Sequence, residues 1–294
     1  MKLTYTVKPN TQYKTLKEVL KAYFKISDRL LLKLKKNNKI LLNSEITYMH
    51  HPLKGNDIIE VFLDLEEDSS NIIPTKMDLD IIYEDDAYIV VNKPAGIPIH
   101  PSMEHYEDSL SNGIKYYFDE IGLKKKIRPV NRLDRNTSGL VIFAKNEYIQ
   151  ERLIEQMKNN LFYKEYIAIC EGKFKNTKGI INAPIARKEN SIIERCVSEN
   201  GDIAITEYEV LNYNSEGNYS VVKCILKTGR THQIRVHMSY IGHPLLGDTL
   251  YGHESDKIGR QALHSYKMSF VHPIERKKVT YIATFPRNIA VLIS

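Results

Sequence analysis

The sequence predicts an α+β fold: a large mixed, mostly antiparallel sheet with flanking helices and loops, preceded by a small α+β module. Three observations predict it. Strand-like runs outnumber helical ones and meet across short turns, as in residues 206–229 around Ser215-Glu216-Gly217-Asn218. No regular strand–helix alternation runs through the chain, as a doubly wound parallel sheet requires. Charge is uneven: residues 1–64 hold 12 Lys or Arg against six acids, so the whole formal net charge of +6 lies there. A basic unit joined to a balanced one suggests an anion-binding module attached to something else.

The bulk composition narrows the classes. With 294 residues, 42% hydrophobic and 27% charged, the chain can bury a sizeable core. No run approaches the roughly 20 apolar residues of a membrane span, and MKLTYTVKPN lacks the features of a signal peptide. Cys170, Cys196 and Cys224 are widely spaced and odd in number, which argues against a disulfide framework or a CxxC metal site. A reducing, cytoplasmic location is the expectation, with a monomer as the default state.

Thr15 and Glu18 form a capping-box pattern ahead of a short amphipathic stretch to about Lys25. Ser27 can cap a second helix, DRLLLKLKKNN, with Leu30, Leu31 and Leu34 at helical spacing. KILLN reads as a strand, NSE as a turn, and KGNDIIEVFLD as a turn and an alternating strand. Residues 65–78, LEEDSSNIIPTKMD, have the composition of a linker between a unit at 1–64 and another at 79–294. The second unit opens with two apolar runs flanking Glu84-Asp85-Asp86, a hairpin that ends at Lys93-Pro94-Ala95-Gly96. A helix over 107–121, a strand at SGLVIFAKN, a helix at NEYIQERLIEQMKNN and a strand at YKEYIAICEG come next, and KVTYIATFP is the closing strand.

Three common chemistries lack their sequence signatures. His232 and His237 are five apart, His50 and His51 adjacent, and neither pair has metal-ligand spacing, so no metal is expected. No GxxxxGK[ST] or GxGxxG loop is present, which argues against ATP or NAD. Ser138 lacks a GxSxG elbow. Three polar clusters remain. NRLDRNTSG sets Asp134 between Arg132 and Arg135, just before an apolar strand; its bland reading is a surface turn with a loose ion pair. In Tyr163-Lys164-Glu165-Tyr166, alternation puts Lys164 and Tyr166 on one face, with ordinary strand packing as the plain alternative. The segment from Lys227 to His237 is dense in donors, among them Arg230, His232, Gln233 and Arg235; a surface basic patch is its plain reading.

ISDRLLLKLKKNNKILLN followed by LKGNDIIEV resembles the S4-like RNA-binding domain over about residues 12–64, although the usual Val-Asn-Gly turn is Leu42-Asn43-Ser44. The likeness implies RNA against the second helix and the following strand, at Arg29, Lys33, Lys35, Lys36 and Lys39. The three polar clusters together resemble the RluA-type RNA pseudouridine synthases over about residues 80–290. EDDAYIVVNKPAGIPIHPS, HPLLGDTLYG and QALHSYKMSFVHP match further stretches in order. The sequence departs from that pattern at Asn131, usually His, and at Asn136, often Asp.

This resemblance implies an isomerase that turns uridine into pseudouridine, most often in large-subunit ribosomal RNA, with no cofactor or metal. Asp134 is then the carboxylate that acts at C1′ or removes a proton, Arg235 its ion-pair partner, and Tyr166 the ring that stacks on the flipped uracil. Arg132, Arg135, Arg230, Lys164, His232 and Gln233 are the implied substrate contacts. Transfer RNA as substrate, a non-catalytic RNA-binding protein of the same fold, and a nucleoside hydrolase are the competing readings. The hydrolase lacks a second candidate carboxylate in the three clusters.

Overall fold

The computed structural model describes residues 1–67 and 69–294; residue 68, within the segment expected to be a linker, lies outside the described residues. Strand β1 (Lys2–Thr6) is followed by α1 (Leu16–Glu18), which widens into a π-helical turn over Val19–Tyr23, and by α2 (Asp28–Lys36). Strands β2 (Ile40–Leu42), β3 (Glu45–Ile46) and β4 (Ile58–Phe62) complete a four-stranded sheet of order β1-β4-β2-β3. Ser27 caps α2 through Leu30 N–H, as the pattern predicts. The β2–β3 turn forms without the usual glycine. Asn43 and Ser44 both adopt left-handed backbone, φ 51° and 67°, and the Asn43 amide steadies the turn by bonding Asp57 and Ile58 N–H. Asparagine tolerates that region better than most residues.

Beyond residue 78 the elements are β5 (Ile81–Glu84), β6 (Tyr88–Lys93), α3 (Leu110–Glu120), β7 (Arg128–Pro129), β8 (Ser138–Ala144) and α4 (Glu147–Lys158). Next come β9 (Tyr163–Glu171), β10 (Lys178–Asn182), β11 (Ile185–Arg187), β12 (Arg195–Val197), β13 (Ile205–Asn214) and β14 (Tyr219–Leu226). Helix α5 (Gln233–Tyr240), β15 (Leu263–Val271), β16 (Lys278–Ile282) and α6 (Arg287–Ile293) close the chain. Among the described residues a ten-stranded sheet runs β10-β13-β14-β9-β15-β8-β6-β5, with β16 on β15 and β7 on β8. Among the described residues only β15 and β8 pair in parallel, so the sheet is mixed and mostly antiparallel, as expected. The expected closing strand exists as β16, but α6 follows it.

The parallel junction explains a glycine. Gly139 has φ +111°, and a Cβ there would lie 2.2 Å from the Ser265 carbonyl oxygen. Only glycine lets β8 approach β15 this closely. Ser138 beside it is buried; Arg260 donates to its hydroxyl, which sits 2.9 Å from His264 Nδ1. It is a structural residue.

The N-terminal unit shares one apolar core with the large sheet: Leu30, Leu34 and Ile59 belong to the same cluster as Tyr88, Leu140 and Ile142. Helix α4 meets it with a row of carboxylates. Glu147, 4% exposed, takes Arg29 Nε at 2.6 Å and also Lys33, while Glu151 accepts from Ser27 and Glu155 from Lys25. Residues expected to form a linker lie against the large unit, where Glu67 pairs with Arg128 at 2.7 Å and Ile73 O accepts from Asn112.

Candidate active site

The turn ahead of β8 closes with Thr137 N–H donating to Asp134 O at 3.0 Å, and the Asp134 side chain lines the cleft beside it. Lys93 fastens the neighbouring loop. Its buried ammonium donates to Pro94 O, Ile97 O and Arg135 O at 2.8–2.9 Å. Burial above all, then the Arg260 charge, lowers its pKa to about 7, with Asp134 acting in the opposite direction. Arg135 returns a bond from Nε to Gly96 O, so the two loops are stapled together.

Asp134 opens onto a cleft of about 700 Å³ lined by Arg132, Lys158, Lys164, Tyr166, Arg230, His232 and Arg235 among others. Three separate stretches of sequence therefore converge. Arg235, from the first turn of α5, donates from Nη1 to Asp134 Oδ2 at 3.1 Å. Its other edge is held by a second carboxylate, Asp248, through Nε at 2.6 Å and Nη2 at 2.8 Å. The bidentate grip fixes the plane of the guanidinium, and Asp134 receives the nitrogen left over. Burial works against the Arg235 charge, but the two carboxylates outweigh it and raise its pKa. The Tyr251 ring adds a cation–π contact, 5.0 Å from the guanidinium carbon.

Tyr166 and Lys164 share one face of β9, as alternation predicts, and both line the cleft. Burial pushes the Tyr166 phenol up to about 12, so it is protonated at neutral pH. Burial also lowers the Lys164 ammonium from its ordinary value. Arg132 is exposed at the cleft rim; Arg230, also exposed, reaches Ile203 O and Asp202. These cations give the cleft an anion-attracting mouth.

The substrate contact expected at Gln233 is not supported by its bonds, while the departure at Asn131 is absorbed inside the fold. Gln233 is 2% exposed and all its amide valences are spent inside the protein: it accepts from Thr228 and Arg230 N–H and donates to Ile205 O and Thr206. It shapes the loop and has nothing left to offer a substrate. Asn131 is likewise internal, donating to Leu140 O and accepting from Ile142 N–H, so it acts as an extra rung beside β8. An amide suits that place, since it needs one donor and one acceptor at once.

Asp248, Tyr251 and Lys93 were given no role from sequence, although all three lie in stretches already noted as matching. Of the five N-terminal cations, Arg29 and Lys33 meet Glu147, Lys39 lies 3.4 Å from Asp64, and Lys35 and Lys36 are exposed.

Fold and site together define a class with solved members. The structure titled human RNA Pseudouridylate Synthase Domain Containing 1 superposes with a TM-score of 0.60 at 26% identity, over 76% of this chain and 87% of that one. A family model described as RNA pseudouridylate synthase matches residues 87–240. YjbO of Bacillus subtilis strain 168, called an uncharacterized RNA pseudouridine synthase, is 39% identical over 269 residues, 91% of this chain and 94% of the relative. Ribosomal large subunit pseudouridine synthase D of Blochmanniella floridana is 34% identical over 279 residues, 88% and 86% of the two chains. The chain belongs to the RNA pseudouridine synthase family and is an isomerase acting on RNA uridine. Among the described residues, no helix is long and apolar enough to cross a membrane.

Proposed function

We propose that the protein isomerises uridine in large-subunit ribosomal RNA, with Asp134 as the reacting carboxylate. One observation carries the assignment of the residue: Asp134 stands at the cleft with its Oδ2 on a guanidinium that Asp248 already locks in place. A preorganised ion pair of this kind costs no rearrangement when charge develops at the reacting carbon. Asp134 attacks C1′, the N1–C1′ bond breaks and its electrons leave with the uracil. The base turns against the Tyr166 ring until C5 faces C1′. A C5–C1′ bond then forms as the carboxylate departs, C5 loses its proton and N1 gains one. Base flipping costs a few kcal/mol, which phosphate contacts at Arg132, Arg135 and Arg230 offset. Lys164, lining the same cleft, is placed to meet the uracil anion.

The N-terminal unit is proposed as an S4-like RNA grip, using Lys35 and Lys36 on the exposed face of α2. Names of relatives, such as the large-subunit enzyme of Blochmanniella floridana, support ribosomal RNA as the substrate. Pseudouridine mapping of total RNA from cells with and without the gene tests this. Loss of signal at one or a few large-subunit positions is expected. Loss only in transfer RNA would contradict the substrate assignment.

A further inference from the structure

Tyr251 does more than cover Arg235. Its hydroxyl accepts the backbone N–H of Arg195 at 2.8 Å and lies 2.8 Å from Nδ1 of His232. Among the described residues, Nδ1 is the acceptor that the phenolic proton meets. The hydroxyl therefore donates to Nδ1, which leaves the imidazole proton on Nε2. Burial is the largest influence on this ring and holds its pKa below the ordinary 6.5 against the pull of Asp134, so the imidazole is neutral near pH 7. His232 also sits in left-handed backbone, φ 57° and ψ 19°, immediately before α5. A non-glycine residue there is uncommon and is held by its surroundings; here the four bonds of Gln233 hold the loop.

Nε2 faces Asp134 Oδ1 at 3.8 Å. That is too long for a direct hydrogen bond, and it leaves room for one oxygen atom within hydrogen-bond reach of both atoms. Ribose geometry says which oxygen. The uracil leaves C1′ from the β face, and a carboxylate meeting C1′ from the opposite face comes alongside the 2′-hydroxyl, which lies on that face of the neighbouring carbon. We propose that His232 reads the 2′-hydroxyl of the target ribose. Nε2–H donates to it, it donates in turn to Asp134 Oδ1, and Tyr251 is the positioning residue that keeps the proton on Nε2. The inference rests on Asp134 acting at C1′. Because the 2′-hydroxyl is what separates RNA from DNA, the pair selects a ribonucleotide at the reacting position.

The test is a cycle between enzyme and substrate. An RNA fragment carrying the modified uridine is compared, in single turnovers, with the same fragment bearing 2′-deoxyuridine at that position. Pseudouridine formation by the parent enzyme on the all-ribose fragment is read first and checks the proposed function by itself. Removing the hydroxyl changes the intrinsic reactivity of C1′ equally for every enzyme form, so that effect cancels in the cycle. In His232→Asn, the new side chain tolerates left-handed backbone and stops short of the Nε2 position. It is expected to slow the all-ribose reaction roughly ten-fold, the scale of one lost hydrogen bond to substrate. Its preference for the ribose fragment over the deoxy fragment should be smaller than the parent's by about the same factor. His232→Gln, whose amide reaches the Nε2 position, should recover part of both. Tyr251→Phe keeps the ring over Arg235 and should lose an intermediate factor. Its ¹⁵N spectrum should show the His232 proton shared between both nitrogens, where the parent holds it on Nε2. A His232→Asn enzyme that discriminates as strongly as the parent would overturn the hydroxyl contact. A Tyr251→Phe enzyme that keeps the Nε2–H form would overturn the positioning role.

Discussion

Replacing Asp248 with Asn tests whether the second carboxylate sets the site. The Arg235 and Asp248 side chains are 8% and 1% exposed, so water offers little relief to a broken pair. An asparagine presents one oxygen where the guanidinium needs two, and its NH₂ would face another N–H. Breaking one partner of a buried pair costs about 3–5 kcal/mol. Asp134 still neutralises part of the Arg235 charge from its 25% exposed position, so the lower end, about 3 kcal/mol, is expected. At about 2–4 °C per kcal/mol for domains of this order of size, the melting temperature should fall about 6–12 °C. Turnover should fall on the order of 100-fold, because a guanidinium freed by about 1 Å no longer presents Nη1 to Asp134. Paired melting curves and tritium release from C5-labelled uridine in RNA measure both. A variant melting within a degree or two of the parent and turning over within a few-fold would refute the claim that Asp248 locks Arg235.

Tyr166→Leu should weaken RNA binding and slow turnover, since base–aromatic stacking contributes about 1–3 kcal/mol; Tyr166→Phe keeps the ring, so binding close to that of the parent is expected in a titration. Lys35→Glu with Lys36→Glu should lower affinity for structured RNA and flatten the dependence of log affinity on log salt, because fewer counterions are released; an unchanged slope would remove α2 from the RNA surface. Glu147→Gln should destabilise the joint between the two units by about 1–2 kcal/mol, a value discounted because Arg29 and Lys33 are 73% and 42% exposed. Burial raises the Glu147 pKa, but Lys33 and Arg29 outweigh it and leave the carboxyl below its ordinary 4.5. Its stabilisation is thus present above pH 4.5 and lost as pH falls through the lower folded value, so melting curves of parent and variant should converge in strong acid. Gly139→Ala should cost several kcal/mol or prevent folding, since the β8–β15 backbones cannot part without breaking the sheet.

Local pattern carried much of the fold. Apolar SGLVIFA and the Asn146-capped helix beginning at Glu147 were legible because strand and helix periodicities are local and their caps adjacent. Helix α5 was not read as one. Its residues Gln233, Arg235 and His237 are buried rather than turned to solvent, which erases the amphipathic stripe, and His232 offers no side-chain cap. Helix α6 is short and follows Pro286, so the pattern appeared to end with β16.

The same distinction holds at the site. That Asp134, Tyr166 and Arg235 meet at one cleft was legible through their motifs. The grip of Asp248 on Arg235 spans 13 residues, and the Asp134–Arg235 pair spans 101. Which donor meets which acceptor across such distances depends on strand register and loop packing. The basic face of α2 shows the same limit. The sequence displays its cations, yet Glu147, which engages Arg29 and Lys33, lies more than a hundred residues away.

Asp134→Asn tests the reacting carboxylate most directly. Asparagine keeps the size and most hydrogen bonds of the side chain but removes the carboxylate. Tritium release from RNA labelled at uridine C5 should fall below detection, while RNA binding, carried by Lys and Arg on phosphate, should persist or strengthen slightly. A melting curve confirms that the variant is folded. A folded, RNA-binding Asp134→Asn protein that turns over within a few-fold of the parent would contradict the assignment of Asp134 as the reacting group.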